Sequence, residues 1–149
     1  MKVLTETPAA PVLIPSGLQL KLPQGIVGFP EHKKGEVVHI EEQLPFQWLR
    51  LVGPMPLNFV VIEPAGIVPD YTPELFDDDA NSLGIQSAED ALVLNIVTVG
   101  RNQPATATVN LVGPIIINRH TGLARQVVIS NHGRYSARHP LVTGDEVGQ

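Results

Sequence analysis

The chain has 149 residues, 43% of them hydrophobic and 17% charged, with a formal net charge of −5 and no cysteine. That composition suits a globular protein burying about 70% of its unfolded surface, and not a disordered chain. It excludes disulfides, thiol chemistry and cysteine-based zinc cages, and no apolar run approaches the ~20 residues of a membrane-spanning helix.

The opening "MKVLTETPAAPVLIPSG" lacks a basic start followed by an apolar stretch, so it does not read as a signal peptide, and a cytoplasmic location is expected. The first dozen residues and the tail after Thr143 are expected to be loosely ordered ends around a core of about residues 18–142. "LQLKL" (18–22) alternates leucine with Gln19 and Lys21, the period of a half-buried strand. "EVVHI" (36–40), "QWLRLV" (47–52) and "NFVVIE" (58–63) follow as further strands. Next comes a predicted helix in "YTPELFDDDANSLG". Thr72 is placed to cap it, Pro73 to stand at its first position, and Leu75, Phe76, Ala80 and Leu83 to form its buried face. Gly84 suits the residue after its end, and Asp77, Asp78 and Asp79 point largely to solvent. Ser87 and Asp90 have the spacing of a capping box for a second short turn.

"LVLNIVTV" (92–99), "TATVNL" (106–111), "IIIN" (115–118) and "QVVIS" (126–130) complete the strands. Short strands punctuated by 14 prolines and 13 glycines predict a mainly β, antiparallel β-barrel-like single domain with one short helix. Between the last two strands lies "NRHTG", read as a polar hairpin bend. In that register Arg119 and Arg125 flank a loop from His120 to Ala124, and Ile115, Ile117, Val127 and Ile129 share a face. A general-base role for His120 would need an orienting acid, and none stands nearby in sequence.

Charge is unevenly spread. Residues 51–100 contain no Lys or Arg but eight acids, whereas residues 101–149 hold five Arg against Asp145 and Glu146. An acidic middle argues against nucleic acid as a direct ligand and for a basic partner. The five histidines form no compact metal-ligand spacing, and consecutive aspartates on a helix point in different directions, so neither a metal nor another cofactor is expected. No Gly-rich phosphate loop, nucleophile elbow or zinc-protease motif occurs, and an enzyme is not expected.

Several stretches resemble, in order, the flagellar assembly factor FliW family: "LPQGIVGFPEHKK", "PFQWLRLV", "NFVVIEP", "VPDYTPEL", "ALVLNIVTV", "ATVNLVGPIIINRHTGLARQVVI" and "YSARHPL". Gly113 departs from the family pattern, where alanine is frequent. The resemblance implies a β-barrel-like fold without catalytic activity. It implies a cytoplasmic protein, monomeric when free, that binds flagellin and also the RNA-binding translational repressor CsrA, linking flagellin synthesis to filament assembly. Asp70, Glu74, Asp77 and Asp78 are candidates for docking that basic repressor, set against a merely solvated helix. Asn118 and Arg119 are candidates for a partner contact, set against simple termination of the hairpin. "YSARHPL" is read either as a contact surface or as a segment whose Tyr135 and Leu141 seal the barrel. A competing class is a small-ligand-binding β-barrel, which would bind through aromatic and amide side chains in a concave mouth.

Overall fold

The computed structural model describes residues 1–3, 14–99 and 107–141. Among these residues, nine strands form one antiparallel sheet that curls without closing. β1 (Leu18–Lys21), β2 (Lys34–Val38), β3 (Gln47–Val52) and β4 (Leu57–Ile62) follow one another as a meander. β5 (Ala91–Thr98) pairs with β4 through residues 95–97. Along its other edge it pairs with β6 (Thr108–Val109) and then with β7 (Ile115–Asn118). β8 (Ala124–Gln126) extends β7, and β9 (His139–Pro140) extends β6.

The curl brings the two margins of the sheet together. Lys21 forms a single parallel bridge to Leu123, and its N–H donates to Gly122 O at 2.9 Å. Gly122 has φ +78°, and a Cβ there would lie 2.7 Å from Gln19 O, so both backbone and space demand glycine. Leu20, Leu22, Val37, Leu49, Leu51, Val61, Leu94, Ile115 and Ile117 fill the interior. This is the barrel-like architecture the alternating strands predict.

Between the Val97–Val109 and Leu94–Ile115 pairs, two residues of β5 face five residues, 110–114. This wide bulge is held by side chains. Asn95 Nδ2 donates to Asn110 O at 2.9 Å and to the Tyr71 hydroxyl at 3.1 Å, and that hydroxyl donates to Leu111 O at 2.7 Å. Asn110 Oδ1 accepts the N–H groups of Val112 and Gly113. Amides thereby satisfy backbone groups that the ladder leaves unpaired. The bulge also shortens the expected 106–111 strand to two residues; Thr106 lies outside the described residues.

The helix is shorter than the sequence predicts. α1 runs from Asp77 to Ser82, with Phe76 at its N-cap in extended conformation. Thr72 and Pro73 do not start it, because Lys2 bridges Glu74 and the N–H groups of Val3 and Leu75 bond to Pro73 O and Met1 O. That pairing keeps 73–75 extended. Phe76 is accordingly 51% exposed and not part of the buried face, whereas Leu75, Ala80 and Leu83 are buried. The C-terminus follows expectation: Ile85 N–H bonds to Ala80 O and Gly84 N–H to Asn81 O, with Gly84 at φ +70°. Residues 1–3 are thus paired, against the expected loose N-terminus; 4–13 and the tail after Thr143 lie outside the described residues.

α1 and Ile85 pack with Val3 over Ala91, Val93, Ile116 and Val127, on the outer face of β5 and β7. A third cluster gathers Ile62, Tyr71, Val97, Val109, Leu111, Ile129 and Leu141. β7 is therefore buried on both sides. The predicted hairpin register does not hold: Ile117 faces Ala124, Ile116 faces Arg125 and Ile115 faces Gln126. Arg119 and Arg125 do not oppose each other. Residues 127–130, expected as strand, form none: Val127 N–H bonds to Pro114 O and Ile129 N–H to Val112 O, both in the bulge, and Ser130 N–H bonds to Glu74 O. Ile129 consequently joins the third cluster and Val127 the second, away from Ile115 and Ile117.

Candidate functional site

Two surface regions carry the residues singled out above. The first begins on α1. Asp77 and Asp78 are exposed, while Asp79 turns back to an ion pair with Arg125, Oδ1 to Nη1 at 3.1 Å. Only the first two therefore project an acidic field outward. All three stand in the first helical turn, where negative charge is favoured by the backbone N–H groups.

Beside the end of α1 lies the hairpin bend. Asn118 is 4% exposed, and its Nδ2 donates to Leu83 O at 2.9 Å and to Gly84 O at 3.3 Å. Its Oδ1 accepts the N–H groups of His120 and Thr121. The side chain is thus committed to joining the bend to the helix end, and it holds the neighbouring Arg119 at the surface. Arg119 is exposed, with its N–H bonded to Asp90 O at 2.9 Å. His120 Nε2 lies 3.0 Å from Asp90 Oδ1, a partnership that chain order concealed. Asp90 Oδ2 also accepts the Ser87 N–H, as the capping box predicts, and in addition the Gln86 N–H. Those two donors, and then His120, hold its carboxyl below the ordinary carboxylate range. The pair is a brace between two loops.

The second region is a cleft of about 380 Å³ lined by Val68, Pro69, Asp70, Leu111, Arg134, Tyr135, Ser136 and His139. It brings together "VPDY", "NLVGP" and "YSARHPL", three stretches far apart in the chain. Tyr71 forms its support: 2% exposed, it stacks edge-on against Tyr135 with ring centroids 5.0 Å apart. Burial pushes the Tyr71 hydroxyl pKa up, which keeps it a neutral donor to Leu111 O. The Tyr135 hydroxyl accepts Thr72 N–H at 3.0 Å. Asp70 stands above with φ +60°, a left-handed conformation rare for residues other than glycine, asparagine and aspartate. Glu74 lies farther along the same extended stretch, its N–H bonded to Asn131 Oδ1 and its carbonyl accepting Ser130 N–H.

The predicted residues thus fall into three places: Asp70 at the cleft, Asp77 and Asp78 on α1, and Asn118 with Arg119 at the bend, with Glu74 linking the first two along the chain. Arg134, Ser136 and His139 are not distinguished individually by the sequence, which offers "YSARHPL" as a contact surface only as a whole. Ser136 and His139 lie inside "YSARHPL" and Arg134 immediately before it, a polar run overshadowed by the apolar Tyr135 and Leu141. Chemically, the cleft sets a carboxylate, a guanidinium and an imidazole around an apolar floor. Ser136 Oγ accepts Arg138 N–H at 3.0 Å, a local turn bond. Among the described residues, no three metal-ligating side chains converge.

Comparison with known proteins agrees with the resemblance in the sequence. The family model described as FliW protein matches residues 5–141. A protein of Leptospira biflexa named flagellar assembly factor FliW is 32% identical over 139 residues, covering 93% of this chain and 90% of that one. Its namesake in Geotalea uraniireducens is 35% identical over 149 residues, covering 100% and 89%. The one in Clostridium novyi is 36% identical over 122 residues, covering 82% and 84%. A crystal structure of the flagellar assembly factor FliW superposes with a TM-score of 0.75 at 32% identity, covering 96% of this chain and 98% of that one.

Proposed function

Because the chain belongs to the FliW family of flagellar assembly factors, we propose that it acts without catalysis, in the cytoplasm, by binding flagellin and the translational repressor CsrA. The observation that carries this reading is the family match across residues 5–141, on a fold shared with a FliW crystal structure over nearly its whole length. In this reading one folded unit, monomeric when free, takes either partner. Binding the repressor relieves its block on flagellin synthesis, and binding flagellin occupies the factor until that flagellin is secreted.

The charge distribution supports the repressor half. Asp77 and Asp78 project from α1, Asp70 and Glu74 precede them, and no Lys or Arg occurs between residues 51 and 100. A basic RNA-binding protein would be steered to such a surface. Arg119 offers a charged contact at the bend, with Asn118 acting from beneath as the residue that places it. A small-ligand barrel finds less support, since apolar side chains fill the interior.

Capture from native cytoplasm tests the reading. Recovery of flagellin and a small RNA-binding protein with the tagged chain is the expected result. Recovery of neither, at concentrations where the bait is folded, would overturn it. A flagellin leader fused to a reporter should in addition rise in output when the chain is overproduced.

A further inference from the structure

The outer side of β1–β3 has the opposite charge from α1. Leu20, Val37, Leu49 and Leu51 point inward and are buried, so the residues alternating with them face out. In register, Lys21 stands directly across from Lys34, and Lys34 across from Val52; in the next row Glu36 stands across from Arg50. Lys21, Lys34, Arg50 and Val52 are all exposed. Like charges directly opposite each other weaken a sheet. Among the described residues neither lysine stands in an ion pair, the pairs His120–Asp90 and Arg125–Asp79 lying elsewhere, and the nearest carboxylate on the face, Glu36, is directly across from Arg50 instead. Glu36, the one carboxylate on these three strands, is bonded to Gln19 Nε2 at 2.8 Å. Where β3 turns toward β4, Val52 and Met55 are 60% and 74% exposed.

We infer that this face docks an acidic protein segment that also carries apolar side chains. Carboxylates of that segment meet Lys21, Lys34 and Arg50, and its apolar side chains cover Val52 and Met55. Charge selects the occupant. This inference rests on the function proposed above: of the two partners there, a basic RNA-binding protein is repelled here and drawn to α1, which leaves flagellin. α1 packs on the outer face of β5 and β7, so the two fields project from different walls of the sheet. Three cations on a chain of net charge −5 fall short of the dense basic surface that nucleic acid requires.

The test uses purified flagellin, the repressor and a DNA duplex with the full chain and two variants. Lys34→Glu alone replaces a like-charge pair by an opposite-charge pair with Lys21. It should melt no lower than wild type and yet bind flagellin more weakly, which a merely structural role for Lys34 would not produce. Lys21→Glu/Lys34→Glu/Arg50→Glu should weaken flagellin binding at least about ten-fold at low salt and less at high salt, leaving repressor affinity undiminished. Flagellin binding by the triple variant equal to that of wild type would overturn the inference while leaving the proposed function standing. Wild-type chain that binds no flagellin would overturn both. Tight duplex binding abolished in the triple variant would reassign the face to nucleic acid.

Discussion

His120 Nε2 and Asp90 Oδ1 meet at 3.0 Å although thirty positions separate them in the chain. Asp90 is held mainly by the Gln86 and Ser87 N–H groups and secondarily by His120, and its pKa lies below the ordinary 3.8. A group whose folded pKa is depressed adds stability above its unfolded pKa and loses it as pH falls through the folded value. Wild type should therefore lose stability as pH drops below about 4, and Asp90→Asn should show a shallower loss over that window. His120→Ala, which leaves both backbone donors in place, should change the profile less. Urea midpoints measured at a series of acidic pH values are the check; identical slopes for wild type and Asp90→Asn would refute it.

The meeting of β1 with the hairpin bend depends on Gly122. Gly122→Ala meets both left-handed strain and the 2.7 Å approach to Gln19 O, and should cost about 2–3 kcal/mol. Gly66, at φ +79° with open space around it, is the comparison: Gly66→Ala carries the strain alone and should cost about 1 kcal/mol. Thermal unfolding of both variants separates clash from conformation. Equal losses would show that the bend yields without resistance.

Tyr71 supports both the bulge and the cleft through one hydroxyl. Tyr71→Phe keeps the ring against Tyr135 but strands Leu111 O and the Asn95 amide, a loss of about 1–3 kcal/mol. Denaturant unfolding should show it. A neutral result would mean that water replaces the hydroxyl.

Asp77 and Asp78 are the test of the acidic wall. Reversing both to lysine leaves the Asp79–Arg125 pair and the buried Ala80 untouched, so the fold should persist. Each exposed charge pair contributes only about 0–1 kcal/mol, so the effect belongs mainly to long-range attraction. Association with CsrA should slow, more at low salt than at high salt, as stopped-flow or biosensor rates would record. Unchanged low-salt rates would place the interface elsewhere.

The strand pattern was legible because each outer strand buries one face, and a period of two survives in "LQLKL" and "QWLRLV". β7 was legible as a strand but not in its register, since Ile115, Ile116 and Ile117 are all fully buried and no alternation marks a face. The wide bulge escaped notice because its cause is an amide, Asn95, inside an otherwise apolar run. The helix start was misplaced at Thr72–Pro73, whose local capping chemistry is sound but loses to pairing with residues 1–3. In the candidate site, the acidic residues were visible as composition. The stretch "YSARHPL" was visible as a possible contact surface, but not the individual roles of Arg134, Ser136 and His139, because the cleft they line is assembled from three distant stretches.

The seam between β1 and β8 has a consequence for how the molecule breathes. Elsewhere the strands are stitched by runs of paired residues, but here, among the described residues, one backbone bond, Lys21 N–H to Gly122 O, and one side-chain bond, Val27 N–H to Gln126 Oε1, span the gap. Parting them disturbs no strand ladder, yet it lets solvent reach Leu20, Ile26 and Ala124 from the side. The free energy of that local opening lies below that of global unfolding, so the Lys21 amide should exchange with deuterium sooner than those in the middle of β5. A sheet that curls without closing keeps one hinge line along which its interior is cheapest to expose.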